Sequence, residues 1–184
     1  MKKYFAASLL TLALGFASVS ADAQKDPNVG GSAMYPTKNI IQNAIESKDH
    51  TTLVAAVKAA GLVDTLEGPG PFTVFAPTNE AFAKLPTGTV DTLLKPENKD
   101  TLVKILTYHV VPGRLSSKDI KKMIKDGKGK ATLKTVQGED LTASLVDGKI
   151  VLTDAKGGTS TVTIADVFQS NGVIDVVDTV LMPN

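Results

Sequence analysis

Asn171-Gly172-Val173-Ile174-Asp175-Val176-Val177-Asp178-Thr179-Val180-Leu181 is the longest β-branched apolar run in the chain. Its Val and Ile content predicts a strand, and its near-continuous hydrophobicity predicts one at the centre of a sheet. Asn171-Gly172 ahead of it predicts a tight turn. Asp175 and Asp178 stand three apart, which sets their carboxylates on opposite faces of a strand and excludes joint acid/base work. Working back, Thr161–Ile164 reads as another strand, after the punctuation of Gly157-Gly158. Leu141–Val146 and Lys149–Thr153 alternate with period two across Asp147-Gly148, a type I′ hairpin signal because both turn residues need positive φ. Gln137-Gly138-Glu139-Asp140 turns the chain out of one more alternating stretch, Ala131–Val136.

The first half has a different period. Thr37 is placed to cap a turn carrying Ile40, Ile41, Ala44 and Ile45. Asp49 is placed to cap a helix with Leu53, Val54, Val57 and Ala60 at helical spacing, and Gly61 is placed to end it. Leu62, Val63 and Leu66 make a short turn before the loop Gly68-Pro69-Gly70-Pro71. Phe72-Thr73-Val74-Phe75 reads as a strand broken by Pro77. Thr78 then caps a helix with Glu80 in its first turn and Ala81, Phe82 and Leu85 buried. Short helices follow around Val90, Leu93 and Leu94 and around Leu102–Leu106. A last one, capped by Ser116, carries Ile120, Met123 and Ile124 to Gly127. Helices followed by strands give an α+β class rather than a parallel doubly wound one.

The N-terminus sets the compartment. Lys2 and Lys3 precede an uncharged stretch from Tyr4 to Val19, and Ala21-Asp22-Ala23 offers the small-x-small pattern of a cleavage site before Gln24. Residues 1–23 are therefore expected to be a signal peptide, 24–36 a flexible leader, and 37–184 one domain of ordinary size. The chain has 20 Lys+Arg and 19 Asp+Glu. The leader peptide holds Lys2, Lys3 and Asp22, so the exported part is balanced in charge, which gives no support to a nucleic-acid partner. Arg114 is the lone arginine, and the sequence has no cysteine and two histidines, His50 and His109. Disulfides, thiol catalysis and cysteine zinc sites are excluded. No later stretch is apolar enough to span a bilayer.

Three segments resemble the fasciclin domain family. Phe72-Thr73-Val74-Phe75-Ala76-Pro77-Thr78-Asn79-Glu80-Ala81-Phe82 resembles its first signature block, Tyr108-His109 its Tyr-His pair, and Asn171 to Pro183 its second block. They occur in family order, and the resemblance covers residues 37–183. It implies a β-wedge packed against a bundle of short helices, and an extracellular or surface protein that works in adhesion rather than catalysis. The export leader and the single cysteine-free domain resemble bacterial members. In some animal members integrin recognition is assigned to the Tyr-His region and to an Asp-Ile pair ahead of the second block. Tyr108 and His109 match the first of these, and Asp166-Val167 stands at the second with Val in place of Ile.

The candidate contact residues are therefore Asp166, Val167, Tyr108 and His109. Lys121, Lys122 and Lys125 join them from a lysine-rich stretch, 118–134, that suits an acidic polysaccharide or lipid headgroup surface. Asp166 is the one expected to be most exposed. Each has a plainer reading. His109 lies among Leu106, Tyr108, Val110 and Val111, which favours a buried, hydrogen-bonded group. Thr78 and Asn79 favour helix capping, Asn171 and Gly172 turn chemistry, and the lysines a solvated face. Nucleophile-elbow, phosphate-loop and paired-histidine motifs are absent, so no enzyme activity, cofactor or metal is expected. The expectation is an exported monomer, periplasmic, secreted or surface-bound, that contacts a surface or matrix protein or glycan. The alternative is a small-molecule or lipid carrier, which would need an apolar pocket of about 300 Å3 or more.

Overall fold

The computed structural model describes residues 26–184. The expected signal peptide, its cleavage site and the first residues of the leader lie outside the described residues. From Asn28 the leader belongs to the folded body. Strands β1 (Asn28–Val29) and β2 (Ser32–Ala33) form a small hairpin, and Val29 and Met34 are buried. The Gly/Pro-rich composition that suggested a loose leader instead serves a tight turn, with Gly30 and Gly31 both at positive φ.

Helices α1 (Ile40–Glu46), α2 (Thr51–Ala60) and α3 (Val63–Glu67) come next. The cap of α1 is Asn39, not Thr37. The Asn39 side chain accepts from the Gln42 amide and the Gln42 side chain accepts from the Asn39 amide, a reciprocal box. Asp49 does not cap α2 either, because it sits inside a 3-10 turn over Lys48–His50. Gly61 ends α2 at φ 71°, as its lack of a Cβ suits it to do.

Strand β3 (Phe72–Pro77) leads into α4 (Asn79–Ala83), α5 (Thr89–Leu93) and α6 (Lys99–Tyr108). Then come β4 (Val110–Pro112), α7 (Ser117–Asp126), β5 (Lys130–Lys134), β6 (Asp140–Val146), β7 (Lys149–Thr153), β8 (Thr159–Gln169) and β9 (Gly172–Val177). The large sheet runs β4-β3-β9-β8-β7-β6-β5. All its pairings are antiparallel except β3 with β9, which run parallel with Phe72 opposite Gly172.

Strand β9 is buried along its whole length, and β3 is buried from Thr73 onward. Together they form a wall between two cores, because successive side chains point to opposite faces. Val74, Ala76, Ile174 and Val176 face the helices α1, α2 and α6. Phe75 and Val177 face the wedge of β5, β6 and β7, which α7 covers with Ile120 and Ile124. Covering on both faces is why the sequence of β9 reads as continuously apolar rather than alternating.

Candidate functional site

Polar ties hold this body together, and most of the sequence-predicted site residues turn out to be those ties. Tyr108 and His109 end α6 and point inward. The Tyr108 hydroxyl donates to the Asp140 carbonyl and accepts from the Ala155 amide, both at 3.0 Å. His109 lies with Nδ1 2.9 Å from the Ile105 carbonyl and Nε2 3.0 Å from the Leu181 amide. A carbonyl only accepts and an amide only donates, so the proton sits on Nδ1 and Nε2 is the acceptor. Burial lowers the His109 pKa to about 4, against opposing pulls from the Ile105 carbonyl and Asp154. The ring is neutral at neutral pH and has no free nitrogen. Neither side chain reaches the surface.

The C-terminal segment is tied down around the same point. Asp154 accepts from the Met182 amide at 2.9 Å and, with its other oxygen, from the amides of Lys156 and Gly158. Ser160 and Thr179 exchange two more hydrogen bonds.

Asn171 joins three elements. Its side-chain Oδ1 accepts from the Ile40 amide at the start of α1, and its side-chain Nδ2 donates to the Leu66 and Gly68 carbonyls at the end of α3. The turn itself is Ser170-Asn171, since β8 and β9 pair Gln169 with Gly172, and neither Asn171 nor Gly172 has a positive φ. Gly172 is needed for a different reason: a Cβ there would stand 2.2 Å from the Phe72 carbonyl oxygen of the neighbouring strand. Thr78 caps α4 by accepting from the Ala81 amide. Asn79 reaches across to α2, where it accepts from the Thr52 amide and donates to the Lys48 carbonyl. It supplies the cap assigned from sequence to Asp49.

Asp166 is half-buried, not the exposed contact residue expected. It sits at φ 61° in an irregular stretch of β8. That kink turns its carboxylate onto α7, where it accepts from the Ser117 amide at 2.6 Å and from the Ser117 hydroxyl. A carboxylate at a helix N-terminus is favoured by the helix dipole. The Asp166 amide in turn donates to Asp175, which is fully buried with its second oxygen unpartnered. Burial first, with the nearby Asp166 charge adding to it, raises the Asp175 pKa to about 7. Val167, next in line, is completely buried.

Of the candidate contacts, the lysines of α7 are the exposed ones. Lys118, Lys121, Lys122 and Lys125 recur at the i, i+3, i+4, i+7 spacing of one helical face. Ile120 and Ile124 fill the opposite face. The Lys122–Asp126 pair, at 3.9 Å with both side chains more than two-thirds exposed, neutralises little of this stripe. Lys128 and Lys130 extend the positive surface beyond the helix. Sequence reasoning picked out three of the four helical lysines; the helical period was the signal that adds Lys118.

The fasciclin domain family model matches residues 48–183. A Synechocystis protein, sll1483, is 45% identical over 180 residues, covering 96% of this chain and 93% of its own. The cell surface glycolipoprotein MPB83 of Mycobacterium bovis is 37% identical over 92% of this chain and 66% of its own. The pig transforming growth factor-beta-induced protein ig-h3 is 39% identical over 71% of this chain, which spans 17% of that much longer protein. Among solved structures, a FAS1 domain pair from the insect cell adhesion molecule Fasciclin I superposes with a TM-score of 0.71 at 20% identity. That match covers 80% of this chain and 51% of that one, and it shows the shared fold. Among the described residues, no helix is long and apolar enough to cross a membrane.

Proposed function

Because this chain belongs to the fasciclin domain family, whose members include an insect cell adhesion molecule and a bacterial cell-surface glycolipoprotein, we propose that it is a non-catalytic interaction module working outside the cytoplasm. Its contact surface is the lysine stripe of α7, and its partner is an anionic glycan or an acidic protein surface on the cell or in the matrix. The observation that carries this reading is the stripe itself. Four lysines occupy one face of a helix whose other face is anchored in the wedge core, on a body whose total charge is balanced. Solvation alone needs no such clustering, and a patch of one sign concentrates ligands of the other. The other candidate contacts support the reading by elimination, since Tyr108, His109 and Val167 are buried and the Asp166 carboxylate is occupied by Ser117. Export through the N-terminal leader belongs to the same proposal.

The test is retention of the mature domain on a polyuronate column beside neutral dextran. Raising salt from about 0.01 M to about 1 M shortens the screening length from roughly 30 Å to 3 Å. Retention on the polyuronate alone, lost with salt, is expected. It should also be lost at low salt in a variant carrying Lys118→Glu, Lys121→Glu, Lys122→Glu and Lys125→Glu. Equal retention of this variant, or none by the wild type, overturns the assignment.

A further inference from the structure

The two cores are not equally filled. A slot runs through the helix-side core between α1, α2, α3 and the β3–β9 wall, with Ile40, Ile41, Leu53, Val57, Val74 and Ile174 along it. Its space, open mouth included, is about 750 Å3, yet the centres of water-sized spheres reach only about 40 Å3 of it. A single water needs roughly 10–15 Å3 on that measure. The larger figure takes in open solvent beyond the mouth, and the smaller one sets what fits: a slender chain rather than a ring system. The half-exposed Ala44, Val54 and Val63 and the exposed Lys58 mark its mouth.

Among the described residues, one polar atom in the wall has no hydrogen-bond partner. His50 is buried, with Nδ1 2.8 Å from the Ser47 hydroxyl and Nε2 unpartnered. Burial lowers its pKa; the Ala76 carbonyl and Asp49 pull the other way, but no acceptor meets Nε2 at hydrogen-bond geometry. The ring is neutral at neutral pH. His109 also borders the slot but has both nitrogens engaged, so His50 supplies the free one.

We propose that this slot binds a single-chain amphiphile with an uncharged hydroxyl, its chain along the apolar wall and its oxygen on His50 Nε2. A hydroxyl suits either tautomer, because it donates to a bare nitrogen and accepts from an N–H. A carboxylate placed at His50 would bring an uncompensated charge into an apolar site.

The mature protein is titrated with 1-decanol, n-decane and decanoate, and binding is read from ring nitrogen and methyl shifts in NMR spectra. Wild type should bind 1-decanol about tenfold more tightly than n-decane, the size of one net hydrogen bond. His50→Phe keeps the ring shape without the nitrogen and should reverse the preference, binding 1-decanol more weakly than n-decane because the hydroxyl is then buried unpaired. Val54→Trp at the mouth should bind neither while melting as wild type does. No uptake of 1-decanol by folded wild type, or an alcohol preference surviving in His50→Phe, overturns the proposal. So does a preference for decanoate that is lost in Lys58→Ala.

Discussion

His109 and His50 are buried to nearly the same degree, 2% and 3% exposed, and both border the helix-side core, yet their surroundings differ in kind. At the His109 end every ring atom that can hydrogen-bond does so, between α6 and the C-terminal segment. At the His50 end one nitrogen is held by Ser47 and the other, at the slot wall, has no hydrogen-bond partner among the described residues. The histidine that looks functional in sequence, inside the Tyr-His pair, is a sealed tie. The one in an ordinary polar stretch, Ser47-Lys48-Asp49-His50, is left with capacity to spare. A recognisable motif here marks a place where the fold depends on a side chain, and burial without a partner marks a place where something can still bind.

The sharpest way to break this comparison is to replace both imidazoles. His109→Ala strands the Leu181 amide and the Ile105 carbonyl and opens a cavity, so a loss of about 3 kcal/mol is expected in urea unfolding. His50→Phe gives up one hydrogen bond and keeps the volume, so its loss should stay below about 1.5 kcal/mol. Equal losses would erase the distinction. Tyr108→Phe comes next, at about 1.5 kcal/mol, since it leaves the Asp140 carbonyl and the Ala155 amide without their shared hydroxyl.

The pH dependence sharpens the contrast further. The His109 pKa falls from 6.5 to about 4 on folding, so its contribution is present above 6.5 and is lost as pH falls toward 4, where the unfolded chain binds more protons. The His50 shift has the same sign. Asp175 rises from 3.8 to about 7, so its contribution is present below 3.8 and is lost as pH climbs toward 7. The slopes oppose each other between about pH 4 and 6.5. Asp175→Asn removes the opposing slope, and its melting temperature should fall more steeply than that of wild type when acidified across that window. Parallel curves would show that Asp175 does not titrate as its burial dictates. The smallest expected effect is on stability in the four-lysine variant: its melting curve should overlay that of wild type at physiological salt, because exposed charges away from packed features carry little folding energy.

Local patterns made much of this fold legible. Asp147 and Gly148 both take positive φ, Thr78 and Ser116 cap as their positions suggest, and the Asn171–Leu181 run holds the expected central strand. The failures share a cause, which is that the partner is distant in sequence. Asn79 caps a helix that begins 28 residues earlier, and Asp166 is turned inward by a helix that begins 49 residues before it. Strand β8 outruns the predicted Thr161–Ile164 because an irregular ladder carries it on past Asp166 to Gln169. The Asn39 cap was readable, since Asn39 and Gln42 have the spacing of a capping box. The slot and the free nitrogen of His50 are properties of packing, and no local pattern announces them.

Nitrogen-15 NMR of the two imidazoles in the wild-type protein, followed from pH 8 to pH 3, separates an inner tie from an outer contact. His109 should show a protonated Nδ1 and an accepting Nε2, unchanged until the pH nears about 4, whether or not a partner is present. A His109 ring that titrates near 6.5, or that shifts when an anionic glycan is added, would mean that it faces the outside, and the division between inner ties and outer contact would fail.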